Sequence, residues 1–146
     1  MIIPSNSDPG EPRDNVIKPE INQSQNLNEE ICRSTIRLRS FKDGELIIQC
    51  NQIIRIEAAK AYSYFYLTGG KVVLSSRNLN YHIKVLDTRY FLRPHRSHIV
   101  NVLHVAKLLS TIPRKLQMDD GSVIEYSRKK ADEVESKLSN LIPGKN

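Results

Sequence analysis

The sequence predicts a mainly β protein with two helices, one short and internal, the other near the C-terminus. Three observations lead there. Short apolar runs alternate with polar residues from Ser34 onward. Glycine-bearing turns separate them, at Asp43-Gly44, Gly69-Gly70 and Asp120-Gly121. Apolar residues fall at helical spacing at Leu79, Ile83 and Leu86, and again at Ala131, Val134, Leu138 and Leu141. Strands joined by turns this tight pair antiparallel.

At 146 residues there is room for one domain with a real core. Residues 1–33 hold four of the seven prolines and a run of Asn, Gln, Ser and Glu. Such a stretch buries too little apolar surface to offset its ordering entropy, so a disordered tail is expected there, with a short helical lead-in over Asn28 to Arg33. The folded domain is expected over residues 34–146.

Within that domain Ile36 and Leu38 alternate with Arg37 and Arg39, and Asp43-Gly44 turns the chain into Glu45 to Cys50, a hairpin. Gln52 to Ala58 is the next strand. Tyr62 to Leu67 follows, with Tyr62, Tyr64 and Tyr66 on one face and Phe65 and Leu67 on the other. Tyrosines so placed are half-buried sheet surface or a base-stacking platform. Gly69-Gly70 leads into Lys71 to Ser75. Ser76 is then placed to cap the short helix, in which His82 lies beside the apolar stripe, a packing or a solvent-facing position. Tyr90 to Arg93 is a strand, and Pro94 suits a bend or a sheet edge. After a turn at Asn101 to His104, Val105 to Ser110 pairs with Arg114 to Met118, and Asp119-Asp120-Gly121 closes a hairpin onto Ser122 to Tyr126. Ser127 caps the last helix, which Pro143-Gly144 ends.

The most unusual stretch is Phe91 to Asn101, Phe-Leu-Arg-Pro-His-Arg-Ser-His-Ile-Val-Asn. Phe91, Leu92, Ile99 and Val100 anchor its ends in a core, and Arg93, His95, Arg96, Ser97 and His98 form a polar knot between them. Arg93 and Arg96 keep their charge and suit planar, multi-acceptor partners such as phosphate or a guanine edge. A second anomaly is the first turn of the last helix, Arg128-Lys129-Lys130, whose sign is wrong for the positive end of a helix dipole. Either a ligand phosphate compensates it or the long side chains splay into water.

Charge sharpens the choice. Residues 1–33 carry three basic and six acidic side chains, a net −3, which leaves 19 basic and 10 acidic residues, a net +9, for the remainder. A compact domain with that excess expects a polyanion or an acidic protein surface as partner. Cys32 and Cys50 read as structural or incidental thiols rather than a disulfide scaffold. His95, His98 and His104 lack a Cys or carboxylate cluster at ligand spacing, and neighbouring arginines repel a cation, so no metal or other cofactor is expected. A Ser97–histidine nucleophile pair is disfavoured by the same arginines, which oppose an imidazolium, so the chain is not expected to be an enzyme. No run nears the roughly 18 apolar residues of a membrane span, and the start lacks the order of a signal peptide, which makes a cytoplasmic location the expectation.

Arg-x-His-Arg-Ser-x-Ile-Val-Asn at Arg93 to Asn101 resembles the signature of LytTR-type DNA-binding domains, the output module of many bacterial transcription regulators. The resemblance extends through Ile56-Glu57-Ala58, Ser76-Arg77-Asn78-Leu79, Asp120-Gly121 and Tyr126-Ser127-Arg128-Lys129-Lys130, roughly Ile36 to Leu141. It implies small stacked antiparallel β-sheets, a LytTR-like β sandwich, whose loops rather than a recognition helix enter the major groove of double-stranded DNA. The implied function is a sequence-specific transcription regulator, with an acidic-protein-binding module as the alternative. The implied contacts are the corner Lys60, Tyr62 and Ser63, the knot centred on Arg96, and the helix start at Lys129. Arg96 suits base readout. His95 and Ser97 brace the loop or hold phosphate, and Arg77, Arg128 and Lys130 suit phosphate. Lys129 suits either role, and Arg93 is a phosphate contact or a structural tether. Many members carry a receiver domain before this part. Only the tail precedes it here, so no receiver in cis is expected, and two copies on repeated half-sites are a natural way to gain affinity.

Overall fold

The computed structural model describes residues 34–141. The expected tail, with Cys32 and the helical lead-in, the side chain of Leu141 and the helix stop at Pro143-Gly144 lie outside the described residues. Thr35–Ser40 (β1) and Gly44–Gln49 (β2) form the expected first hairpin, with Gly44 at φ 74°, a value that a side chain would strain. Ile53–Ala59 (β3), Tyr62–Leu67 (β4) and Val72–Ser75 (β5) form a meander. Phe91–His95 (β6) and His98–Asn101 (β7) make the hairpin that carries the polar knot. All seven join one antiparallel sheet in the order β2-β1-β5-β4-β3-β7-β6. Val105–Leu109 (β8), Lys115–Met118 (β9) and Val123–Glu125 (β10) form a second antiparallel sheet.

β6 is an edge strand, which is how it accommodates Pro94: the missing N–H costs no ladder bond, and the pairing with β7 is irregular between Leu92 and His95. Alternation along the β6–β7 hairpin feeds two cores. Phe91 and Ile99 join Leu38, Ile56, Phe65 and Leu79 in the first, while Leu92 and Val100 face the second with Leu116, Ile124, Val134 and Leu138. This strand pair is apolar on both faces because both are covered. Asn101, the last residue of β7, is fully buried and donates from Nδ2 to Ile53 O at 2.9 Å and Cys50 O at 3.4 Å while its Oδ1 accepts from Leu103 N at 3.0 Å.

Leu79–Val85 (α1) covers the first core. Its cap is Asn78 rather than the expected Ser76. Asn78 is extended (φ −87°, ψ 175°) and its Oδ1 accepts from Tyr81 N at 3.0 Å, whereas Ser76 still belongs to the strand end, its N–H donating to Arg39 O. Arg128–Leu141 (α2) begins after Ser127, whose Oγ accepts from Lys130 N as expected, and buries Ala131, Val134 and Leu138 in the second core. No described helix is long and apolar enough to cross a membrane.

Candidate nucleic-acid interface

Strand register brings separate turns to one end of the large sheet. Ser75 at the end of β5 lies opposite Ser63 at the start of β4, Ser63 lies opposite Ala58 near the end of β3, and the Ala58 N–H donates to Ser97 O at 2.9 Å. The β3–β4 turn with Lys60, the β5–α1 loop with Arg77 and the β6–β7 turn with Arg96 therefore lie side by side. Lys60 is exposed and takes φ 59°, the one left-handed non-glycine among the described residues, which marks a strained corner. Tyr62 is 41% exposed, and its ring meets Phe41 edge-on at 4.7 Å.

Ser63, expected as a DNA contact, faces the other way. It is fully buried and its Oγ donates to Arg77 O at 2.7 Å. The Arg77 N–H donates to Ser75 Oγ at 3.2 Å, and Ser75 Oγ lies 2.9 Å from His82 Nε2. The backbone of Arg77 is thus clamped from both sides by buried serines. Its guanidinium rests 4.6 Å above the Tyr81 ring. His82 is buried, and burial first, with the Arg77 charge second, pulls its pKa from 6.5 down to about 4, so the ring is neutral where the domain works.

The polar knot divides by role. Arg93 donates from Nη1 to Asn80 Oδ1 and from Nη2 to Arg96 O, both at 2.7 Å, which ties the β6–β7 turn to α1. Of its two expected roles, this geometry serves the tether. His95 Nδ1 accepts from the Ser97 N–H at 3.1 Å, so that nitrogen carries no proton and the ring braces the turn. His98 lies across the hairpin from His95. Burial, only partly offset by Glu57, lowers its pKa. With the Arg93 guanidinium engaged by Asn80 and Arg96 O and His98 held toward neutrality, Arg96 is the exposed cation of the turn.

The first turn of α2 has no acidic residue. Arg128 and Lys129 are exposed and form no ion pair among the described residues, and Lys130 lies 3.5 Å from Glu133. Further along, the Lys137 ammonium donates to Thr88 O, just ahead of β6. The later part of α2 is therefore at the end of β6 opposite to Arg96.

A family model described as the LytTr DNA-binding domain matches residues 43–139. The chain belongs to the LytTR DNA-binding domain family. Among solved structures, the LytTr DNA-binding domain of a Bacillus cereus protein described as a methyl-accepting/DNA response regulator superposes with a TM-score of 0.62 at 25% identity, covering 73% of this chain and 97% of that one. No curated protein matches the chain. LytTR domains bind DNA in transcription regulators and are not a catalytic family, which fits the cationic turns.

Among the residues that hold these LytTR turns in place, Ser63 has a different role from the expected contact and Ser75 is absent from the motifs. Ser63 and Ser75 share strand parity with Phe65 and Val73, so alternation marks them as inward-facing. Arg55 is also absent from the motifs. Its guanidinium lies 3.7 Å from the Tyr66 ring centroid, bonds Glu57 at 3.2 Å and approaches Asp120 at 3.6 Å, which pins the β9–β10 turn to the large sheet. That link depends on a contact distant in sequence, and local pattern does not reveal it.

Proposed function

We propose that this LytTR chain is a sequence-specific double-stranded DNA-binding transcription regulator whose turns at one end of the seven-stranded sheet enter the major groove. The observation that carries the reading is the row from Ser75 through Ser63 and Ala58 to Ser97, which gathers Lys60, Arg77 and Arg96 on braced turns with their charges unused by carboxylates. Arg96 reads a base edge, because a guanidinium pairs bidentately with guanine, worth about 1–3 kcal/mol of discrimination. Lys60, Arg77, Arg128, Lys129 and Lys130 contact phosphate and set the register, and Tyr62 packs against the sugar-phosphate wall. Arg93, His95, Ser63 and Ser97 position those groups.

Binding to upstream DNA at several salt concentrations tests this reading. The affinity should fall steeply with salt, close to one unit of log–log slope per neutralised phosphate. Arg96→Ala should lose preference for the specific site more than affinity for unrelated duplexes. A salt-independent affinity refutes the phosphate contacts, and equal loss on every sequence demotes Arg96 to a positioning contact. Two copies on repeated half-sites would raise the affinity through effective concentration, with binding of two protomers per duplex as the expected stoichiometry.

A further inference from the structure

The β1–β2 turn belongs to the same end of the sheet, although no motif behind the family resemblance includes Phe41 or Lys42 and the family match begins at residue 43. Ser40 closes β1 opposite Ser75, so the row of register partners that ends at Ser97 begins here. The turn is well held. Ser40 Oγ accepts from the N–H groups of Lys42 and Asp43, each at 3.2 Å, and Phe41 N donates to Leu74 O. The Phe41 ring, 57% exposed, meets Tyr62 edge-on and so couples this turn to the one that carries Lys60. Lys42 is exposed and pairs with no carboxylate among the described residues.

We propose that Lys42 is a further contact to the DNA backbone, at the outer margin of the edge and on the far side of Lys60 from Arg96; this rests on the reading of that edge as the duplex-binding surface. Neighbouring strands are about 4.8 Å apart, and five such intervals separate the β6–β7 turn from the β1–β2 turn, which sets them about 24 Å apart. The major groove is about 12 Å wide. A turn that far from Arg96 does not share its groove and meets the sugar-phosphate backbone beyond it. The ligand chemistry is therefore phosphate, read without sequence preference. Asp43 follows in the same turn, which limits it to a single cationic contact rather than an anion pocket.

The experiment compares salt titrations of the full chain on a duplex containing its site and on a long random-sequence duplex. Lys42→Gln should lower the log–log salt slope by about 0.9 and weaken both duplexes by the same factor, and Lys42→Arg should retain the slope. Lys71→Gln removes the same charge at the opposite end of the sheet, where Lys71 O accepts from Leu67 N, and should change neither quantity. An unchanged slope in Lys42→Gln, or an equal fall in Lys71→Gln, overturns the proposal. If the wild-type chain binds with Arg96-dependent preference while Lys42→Gln behaves like wild type, this inference alone fails. Absence of duplex binding by the wild-type chain defeats the underlying reading as well.

Discussion

The two ends of the seven-stranded sheet differ in how many of their charged side chains are paired. At the end away from the Arg96 turn, Arg89 pairs with Asp87 at 2.8 Å and His104 Nδ1 hydrogen-bonds with Asp119 Oδ2 at 3.0 Å, while Arg55 is shared between Glu57 and Asp120 along the sheet face. The Arg89 bond holds the Asp87 carboxyl below the usual carboxylate range. At the turn end, Lys42, Lys60 and Arg96 have no carboxylate partner among the described residues, and Arg77 rests on an aromatic ring. What is satisfied at the turn end is the backbone beneath the cations: Ser40, Ser63 and Ser75 bond the peptide groups of the turns, and Arg93 and His95 hold the β6–β7 hairpin. On the proposed DNA-binding reading, the exposed cations of the turns stand on a backbone already held by hydrogen bonds, which lowers the ordering cost of binding.

This contrast can be broken most severely from underneath. Asn101→Ala strips the buried bonds to Ile53, Cys50 and Leu103 and leaves those peptide groups unpaired, which should lower unfolding free energy by about 3–5 kcal/mol in urea denaturation. A loss below about 1 kcal/mol would show that the clamp is dispensable.

Acid should act next, through the support of Arg77. The folded-state pKa of His82 is about 4, below the ordinary 6.5, so between these values the unfolded chain holds a proton that the native chain refuses. Stability from this group is complete above pH 6.5 and is lost as pH falls toward 4, by about 3 kcal/mol. Urea midpoints measured across that window should decline in the wild type and decline less in His82→Gln. Parallel curves would remove His82 from the account.

Arg93→Ala unties the β6–β7 turn from α1 and should weaken specific DNA binding roughly tenfold, about 1.4 kcal/mol. Arg93→Lys should restore little, because one ammonium does not reproduce a fork that bonds Asn80 and Arg96 O together. Full recovery with lysine would mean that charge alone matters at this position.

The smallest effect has opposite signs in two assays. Lys60→Gly relieves the left-handed backbone at φ 59° and should raise stability by about 0.5–1 kcal/mol, while removal of the cation weakens DNA binding and its salt slope. If both assays fall together, the Lys60 corner serves the fold more than the ligand.

Much of this was legible in the sequence. Most described strands lie where alternation and turn residues put them, and Phe91, Leu92, Ile99 and Val100 are buried as expected, but β6 runs on through Pro94 to His95 and β7 is a strand the pattern did not indicate. The misreadings have local causes. Ser76 and Asn78 are both good caps, and the choice between them was made by Arg39 O, which takes the N–H of Ser76 into the end of the strand. Ser63 was expected as a contact because the family resemblance places one at the Lys60 to Ser63 corner, but its parity with Phe65 and Leu67 turns it inward.

By itself the sequence determined the β class, the hairpins, the two helices, the excess of basic charge and the family, because these depend on periodicity, turn chemistry and residue spacing along the chain. Only the tertiary structure decided which of the basic residues are paired with carboxylates, that Arg93 is tied to Asn80 and Arg96 O while the Arg96 side chain is exposed, and that the Lys42 turn shares an edge with them. Those outcomes follow from strand order and register, which bring together residues tens of positions apart, and a local pattern carries no record of such neighbours.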